Sequence, residues 1–295
     1  MGLGGSSGRD AAGTRPARRL LPEGRTAVMG IVNVTPDSFA DGGRWATAPE
    51  AMAHARQLLA EGADVLDVGG ESTRPGAQPV AAAEERARVL PVITALRAAT
   101  DVPISIDTSK AEVAADALAV GADMVNDVSA GRFDTGMLPL VAERGAAIVL
   151  MHMQGTPATM QEAPHYGDVV GEVCAFLAER AEAARAAGIA ADRIWLDPGI
   201  GFGKRPAHNL ALLAGLEPLV ALGYPIVIGA SRKGFLGGLA GEPPDPVEAR
   251  LPASLAAAVL AAAGGARVVR VHDVAATRRA LAVADATRRA ARTSD

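Results

Sequence analysis

The 295-residue chain carries a net charge of −4, with 49% hydrophobic residues but only 3% aromatics. It lacks the basic excess of a general nucleic-acid binder, and its core must be built from Ala, Val, Leu and Ile. Its single cysteine, Cys174, excludes an internal disulfide or a thiolate metal cluster and suits a reducing cytoplasm. No run of about 18 apolar residues is present, so no membrane span is expected.

Residues 1–25 are rich in Gly, Arg and Ala, lack an apolar signal core and read as a disordered tail. From there, short apolar runs alternate with helix-period stretches. AVMGIVNV (27–34) precedes PEAMAHARQLLAEG, and DVLDVG (64–69) precedes AAAEERARVLPVITALRAAT. VPISID (102–107) precedes KAEVAADALAVG, and ADMVND (122–127) precedes DTGMLPLVAERG. AAIVLMH (146–152) precedes DVVGEVCAFLAERAEAARAAG, and RIWLD (193–197) precedes AHNLALLAGLEPLVALG. PIVIGA (225–230) precedes a stretch through ARLPASLAAAVLAAAGG, and RVVRVH (267–272) precedes VAATRRALAVADATRRAAR. Strands alternating with helices imply parallel pairing. Eight such pairs without a linker predict one α/β domain over residues 26–295, a single-domain (β/α)8 TIM barrel. An open doubly wound sheet is the alternative.

A barrel of this kind carries its chemistry at the C-terminal ends of the strands. Polar residues gather there: Asn33, Asp67 with the GGESTRPG loop, Asp107, Asn126 with Asp127, His152, Asp197, Ser231-Arg232-Lys233, and Arg270 with His272. The opposite ends read as short glycine turns such as EGAD, VGAD and ERGA. Asp107, Asn126 and Asp197 would grip a ring edge bearing several N–H donors, since carboxylates accept and an amide does both; helix capping is the competing reading. Lys233, one of only three lysines with Lys110 and Lys204, follows the seventh strand, where such barrels bind anions. Arg270 and His272 are two apart on one strand, so they share a face and suit a phosphate; a salt bridge to Asp273 or a neighbour is the plainer alternative. Arg74 would close from the second loop. Asn33 and Asp37 offer oxygen donors for Mg²⁺, and loop 35–45 has the composition of a lid. GIGFGK (199–204) is no phosphate-binding P-loop, lacking the spacing and the Ser/Thr. His54, His165 and His208 have no metal-site spacing.

MGIVNVTPDSF (29–39), DVGGESTRPGA (67–77), SIDTSKAEVA (105–114), NDVSAG (126–131), MHMQGTPATMQ (151–161), DPGIGFGK (197–204) and VRVHD (269–273), taken in order, resemble the dihydropteroate synthases over residues 26–275. That resemblance implies a (β/α)8 barrel and condensation of a dihydropterin pyrophosphate with p-aminobenzoate. It also implies roles. Asp107, Asn126, Asp197 and Lys233 would hold the pterin. Arg270, His272, Arg74 and Asn33 would hold the pyrophosphate, with Asn33 on Mg²⁺. Thr73 and Pro75 would line the aminobenzoate site, and Phe202 and Lys233 would flank the reacting centre. A homodimer is further implied. Where many relatives have serine after Ser-Arg-Lys, this chain has Gly234. A related barrel that moves a methyl group from a methylated folate to a corrinoid protein would not need the STRPG loop or the basic grip. An inactive paralogue would show decay at Asp107, Lys233 or Arg270, and all three are intact.

Overall fold

The apolar runs form eight parallel strands in the computed structural model, which describes residues 19–35, 48–239, 241 and 246–293. They are β1 (Ala27–Asn33), β2 (Val65–Gly69), β3 (Ile104–Asp107), β4 (Met124–Asp127), β5 (Ala147–Met151), β6 (Ile194–Asp197), β7 (Val227–Ile228) and β8 (Val268–Val271). Hydrogen bonding runs in the order β6-β5-β4-β3-β2-β1-β8-β7. A parallel bridge between Leu196 and Ile226 joins the two edges and closes the sheet into the predicted barrel.

Helices α1 (Ala48–Ala60), α2 (Ala82–Ala99), α3 (Ala111–Val120), α4 (Met137–Arg144) and α5 (Val169–Ala186) wrap its first half. α6 (Pro206–Ala214), α7 (Glu217–Val220), α8 (Gly234–Gly238), α9 (Leu251–Ala263) and α10 (Val274–Thr293) wrap the second. The run 207–223, read as one helix, is two. Gly215 ends α6, and Pro218 sits in the first turn of α7, where a missing N–H does no harm.

Strand side chains alternate between two apolar environments. Val28, Leu66, Ile106, Val125, Ile148, Leu196 and Val269 pack outward against the helices. Met29, Val65, Met124, Val149, Trp195 and Val268 fill the lower half of the barrel interior. Each such burial contributes roughly 1.5–3 kcal/mol against solvent exposure, and together these side chains make the interior a packed core with room for polar groups only at the top.

Residues 19–25, assigned from sequence to a disordered tail, instead close the lower end. Leu20 is only 8% exposed and joins the Trp195 cluster, with Leu21 against it. The rest of that tail, residues 1–18, lies outside the described residues, as does loop 35–45 with Asp37, apart from Thr35. Just above, the Thr26 amide and hydroxyl both donate to the buried Asp285 carboxylate, at 3.0 and 2.9 Å. Asp64 accepts from Arg25 at 2.8 and 2.6 Å, from the Val28 amide at 2.9 Å, and from Arg278. Burial raises the Asp64 pKa, but these hydrogen bonds outweigh it and hold the carboxyl below its ordinary value.

A group depressed in this way stabilises the fold fully above its unfolded pKa of about 3.9 and loses that contribution as pH falls through the folded value. Asp64→Asn should therefore lower stability by about 2 kcal/mol at pH 7. In urea titrations the gap to the parent protein should narrow below about pH 4; a gap independent of pH would sink this account.

Candidate active site

The alternation that fills the lower barrel carries upward. Inward positions Met29, Val65, Met124, Val149, Trp195 and Val268 continue two or four residues later as Asn33, Asp67, Asn126, Met151, Asp197 and Arg270. Ser105 and Asp107 on β3 have the same parity, and His272 lies just past β8. The top of the barrel is thus a polar layer seated on an apolar plug.

Arg270 is the centre of that layer. Its Nε donates to Asp67 Oδ2 at 2.6 Å and its Nη2 to Asp107 Oδ2 at 2.7 Å. Asn126 Nδ2 donates to the same Asp67 oxygen at 3.0 Å. Burial pushes the Asp107 carboxyl up to about 7, against the opposing pull of Arg270 and with help from the neighbouring Asp67. Burial also works against charge on Arg270, yet Asp67 and Asp107 more than compensate and hold it firmly protonated. Asp197, buried at the end of β6, accepts from the Gly199 amide at 2.7 Å, and burial raises its pKa.

The Ser-Arg-Lys segment after β7 splays three ways. Ser231 Oγ accepts from the His272 amide at 3.2 Å and lies 3.0 Å from His272 Nδ1. With Oγ already accepting, its hydroxyl hydrogen is free to donate to Nδ1, which leaves the ring proton on Nε2. Burial, reinforced by Arg270 and Arg232, lowers the His272 pKa to about 3, so the ring is neutral. Arg232 turns away to a two-pronged pair with Asp273 at 2.9 and 2.5 Å. Asp273 thus does not take Arg270, whose salt bridges go to Asp67 and Asp107 instead, so the ion-pair reading of that arginine holds with other partners. Lys233 turns inward, donates to the Ile200 carbonyl and stands 4.3 Å from the Phe202 ring centroid. Burial drops its pKa to about 7, with Asp197 pulling the other way.

Two residues expected in the mouth are not there. Asp127 has the outward parity and accepts the Ser129 and Gly131 amides, each at 2.7 Å, so it is a turn cap. His152 also faces outward, edge-on to Phe176 of α5 with centroids 4.8 Å apart. Thr73, Arg74 and Pro75 sit in the loop after β2, Thr73 half-buried and the other two exposed. Arg74 is near enough to weigh against protonation of His272. The base of that loop is held by Lys110, which donates to Glu71 and, at 2.6 Å, to the buried Glu85. Asn33 ends β1 beside Gly69. Among the described residues no group of three His, Cys, Asp or Glu side chains could hold a metal unaided.

The sequence reading missed the pairing of Asp67 with Arg270, 203 positions away. It also passed over Lys204, which is buried beside His152; in a chain with three lysines, that residue type was the available signal.

Residues 29–272 match the pterin binding enzyme family. The dihydropteroate synthase of Synechocystis sp. is 48% identical over 262 residues, 89% of this chain and 90% of that protein. The structure of Xanthomonas albilineans dihydropteroate synthase with 4-aminobenzoic acid is 53% identical, with a TM-score of 0.83 over 90% of this chain and 93% of that one. That of Yersinia pestis dihydropteroate synthase in a sulfonamide complex is 44% identical, with a TM-score of 0.87 over 93% and 98%.

Removing the cation between two buried carboxylates costs about 3–5 kcal/mol. Arg270→Met should lose that much in denaturant titrations, and adding Asp67→Asn should restore part of it. A double variant no more stable than Arg270→Met would mean the fork does not neutralise Asp67.

Proposed function

The chain belongs to the dihydropteroate synthases, within the pterin binding enzymes, and we propose how its barrel mouth divides the labour of their reaction. It condenses 6-hydroxymethyl-7,8-dihydropterin pyrophosphate with p-aminobenzoate, giving 7,8-dihydropteroate and pyrophosphate in folate biosynthesis. The residue assignment rests on one observation, the inward layer in which Asp67, Asp107, Asn126 and Asp197 face Arg270 and Lys233.

The pterin lies on that layer. Asp107 and Asp197 accept from its N–H edge, while Asn126 and Lys233 meet its acceptors. Val128, Met151, Met153 and Met160, clustered at the mouth, offer the apolar wall a flat ring needs. Arg270 uses two of its five N–H groups on Asp67 and Asp107, so others remain for pyrophosphate oxygens. His272 is neutral and contributes an Nε2–H rather than a charge, and Arg74 adds the charge from the second loop. Mg²⁺ suits this arrangement, because it binds through one or two protein oxygens together with substrate phosphates and water, without a protein cage; the Asn33 amide oxygen is the donor assigned here. When bound, Mg²⁺ neutralises the leaving pyrophosphate.

The C–O bond to pyrophosphate breaks and leaves positive charge on the pterin methylene. The Asp107 carboxylate stabilises that charge electrostatically. The arylamine nitrogen then forms the C–N bond and loses a proton to solvent, so no strong general base is required. Aminobenzoate is seated by Thr73 and Pro75, beside Phe202 and Lys233. Its carboxylate lies toward the first turn of α8. Gly234 carries no hydroxyl, so the carboxylate meets backbone N–H groups there. A sulfonamide, which carries the same arylamine, competes for this seat. The proposal includes a homodimer in the cytoplasm, with small molecules as its substrates and no nucleic-acid or membrane partner. Among the described residues no helix is long and apolar enough to cross a membrane.

Pyrophosphate release by the purified protein should require the pterin pyrophosphate, p-aminobenzoate and Mg²⁺ together, and chelation should abolish it. Asp107→Asn should reduce kcat by about 100-fold or more while the fold, checked by circular dichroism, stays intact. Near-normal turnover by that variant would remove Asp107 from the mechanism.

A further inference from the structure

The segment after β6, Asp197-Pro-Gly-Ile-Gly-Phe-Gly-Lys204, lies with its backbone pressed on its neighbours. Gly199, Gly201 and Gly203 have φ of 67, 82 and 61°. A Cβ on Gly199 would fall 1.9 Å from the His152 carbonyl oxygen, and one on Gly203 would fall 2.6 Å from that of Gln154. Gly199 and Gly203 therefore serve close approach to the segment that follows β5, and Gly201 makes room for the Lys233 side chain.

Separate side chains hold this backbone. Lys233 takes the Ile200 carbonyl, Gln161 that of Gly201 at 2.8 Å, Lys204 that of Phe202 at 3.0 Å and Tyr166 that of Gly203 at 2.8 Å. Asn209 accepts the Gly201 amide at 2.7 Å. Lys204 differs from the others in being an almost fully buried cation, 3% exposed. Its Nζ also lies 2.9 Å from His152 Nδ1 and 3.5 Å from the His152 carbonyl oxygen. Three N–H donors thus meet three acceptors, none of them a carboxylate. Burial lowers the Lys204 pKa to about 7, and burial with the Lys204 charge lowers that of His152 to about 3, so the imidazole remains an acceptor. His152 is itself a fixed post, packed against Phe176 and Tyr166. No carboxylate hydrogen-bonds this ammonium, and only the charge of Asp197 favours it, so its burial opposes folding; methionine would fill similar space without that penalty.

We infer that Lys204 is a positioning residue whose ammonium ties the loop after β6 to the end of β5 and thereby holds the Phe202 ring against Lys233. This rests on the place at the reacting centre proposed above for Phe202 and Lys233. A ring released from this clamp drifts from the arylamine's path, and small misplacements at a reacting centre carry large rate penalties.

The test is a double-variant cycle of Lys204→Met and Phe202→Ala. For Lys204→Met the expected result is a Tm close to the parent's, because removing a buried charge offsets leaving its acceptors unpaired. Its kcat/KM for aminobenzoate should fall at least about tenfold, while the Kd for the pterin pyrophosphate alone, by calorimetry, changes less than about threefold. The double variant should be no worse than Phe202→Ala. Should the methionine variant not fold, Lys204→Gln, which keeps a donor for the Phe202 carbonyl, should retain most of the parent's kcat/KM, and a loss as large as that of Phe202→Ala would overturn the inference. Normal kinetics for Lys204→Met, additive losses, or a lower Tm with an equal loss of pterin affinity would each overturn the inference while leaving the reading of Phe202 intact. Normal kinetics for Phe202→Ala would overturn that reading and the inference with it.

Discussion

A closed parallel barrel gives a polar strand residue two choices. If it faces outward it must cap a turn or meet a helix, and if it faces inward it must find a partner inside the barrel. At the mouth of this barrel that partner is Arg270. Its fork to Asp67 and Asp107, with Asn126 on the same Asp67 oxygen, lets two carboxylates exist a few ångströms above an apolar plug. The contact joins β8 to β2 and β3, so the pairing that permits the charges also fixes the relative height of three strands. The rest of the site is arranged around this neutralised pair.

The shortest strand illustrates how loops compensate for weak local structure. β7 has two residues, and the barrel closes beside it through the single Leu196–Ile226 bridge. Yet Lys233, one of the most important side chains in the proposed mechanism, follows directly after it. Its position is set from three other places: Ser231 is tied to His272, Arg232 to Asp273, and Lys233 itself to the Ile200 carbonyl. The splay at Arg232 is enforced by its positive φ of 58°, a conformation uncommon outside glycine, which sends consecutive side chains in divergent directions.

The strand count, the closed architecture and the gathering of polar groups at one end were legible in the sequence because apolar runs and helical periods repeat eight times and most lower turns carry glycine. Which of two adjacent polar residues faces inward was not. In ADMVND both Met124 and Val125 are apolar because both faces of the strand are buried, so no alternation marks the parity. Asn126 and Asp127 were placed at the mouth together, though only Asn126 was assigned to the ring grip, and the closed barrel shows Asp127 to be a turn cap. The same ambiguity misplaced His152. The role of Leu20 was hidden differently: a short apolar pair in an Arg- and Gly-rich stretch looks like tail until the Trp195 cluster it plugs is in place. Lys204 was marked only by its residue type, because its acceptors, a neighbour's carbonyl and a histidine just past β5, leave no mark on spacing.

The charges of the mouth carry a final consequence. Three carboxylates, Asp67, Asp107 and Asp197, are set among three cations, Lys204, Lys233 and Arg270, and burial works against charge on Asp107, Asp197 and all three cations. Asp107 and Lys233 are both brought to about 7, so the charge state of each is nearly balanced at neutral pH. A group in that condition responds strongly to a change in local field. On the proposed mechanism, positive charge appears on the pterin methylene only as pyrophosphate departs, and it then favours the ionised Asp107. The interaction is therefore stronger in the transition state than in the ground state, and only such interactions speed the chemical step. Burial that weakens the fold at these positions is, on this argument, what makes the carboxylate respond to the reaction instead of to the resting substrate.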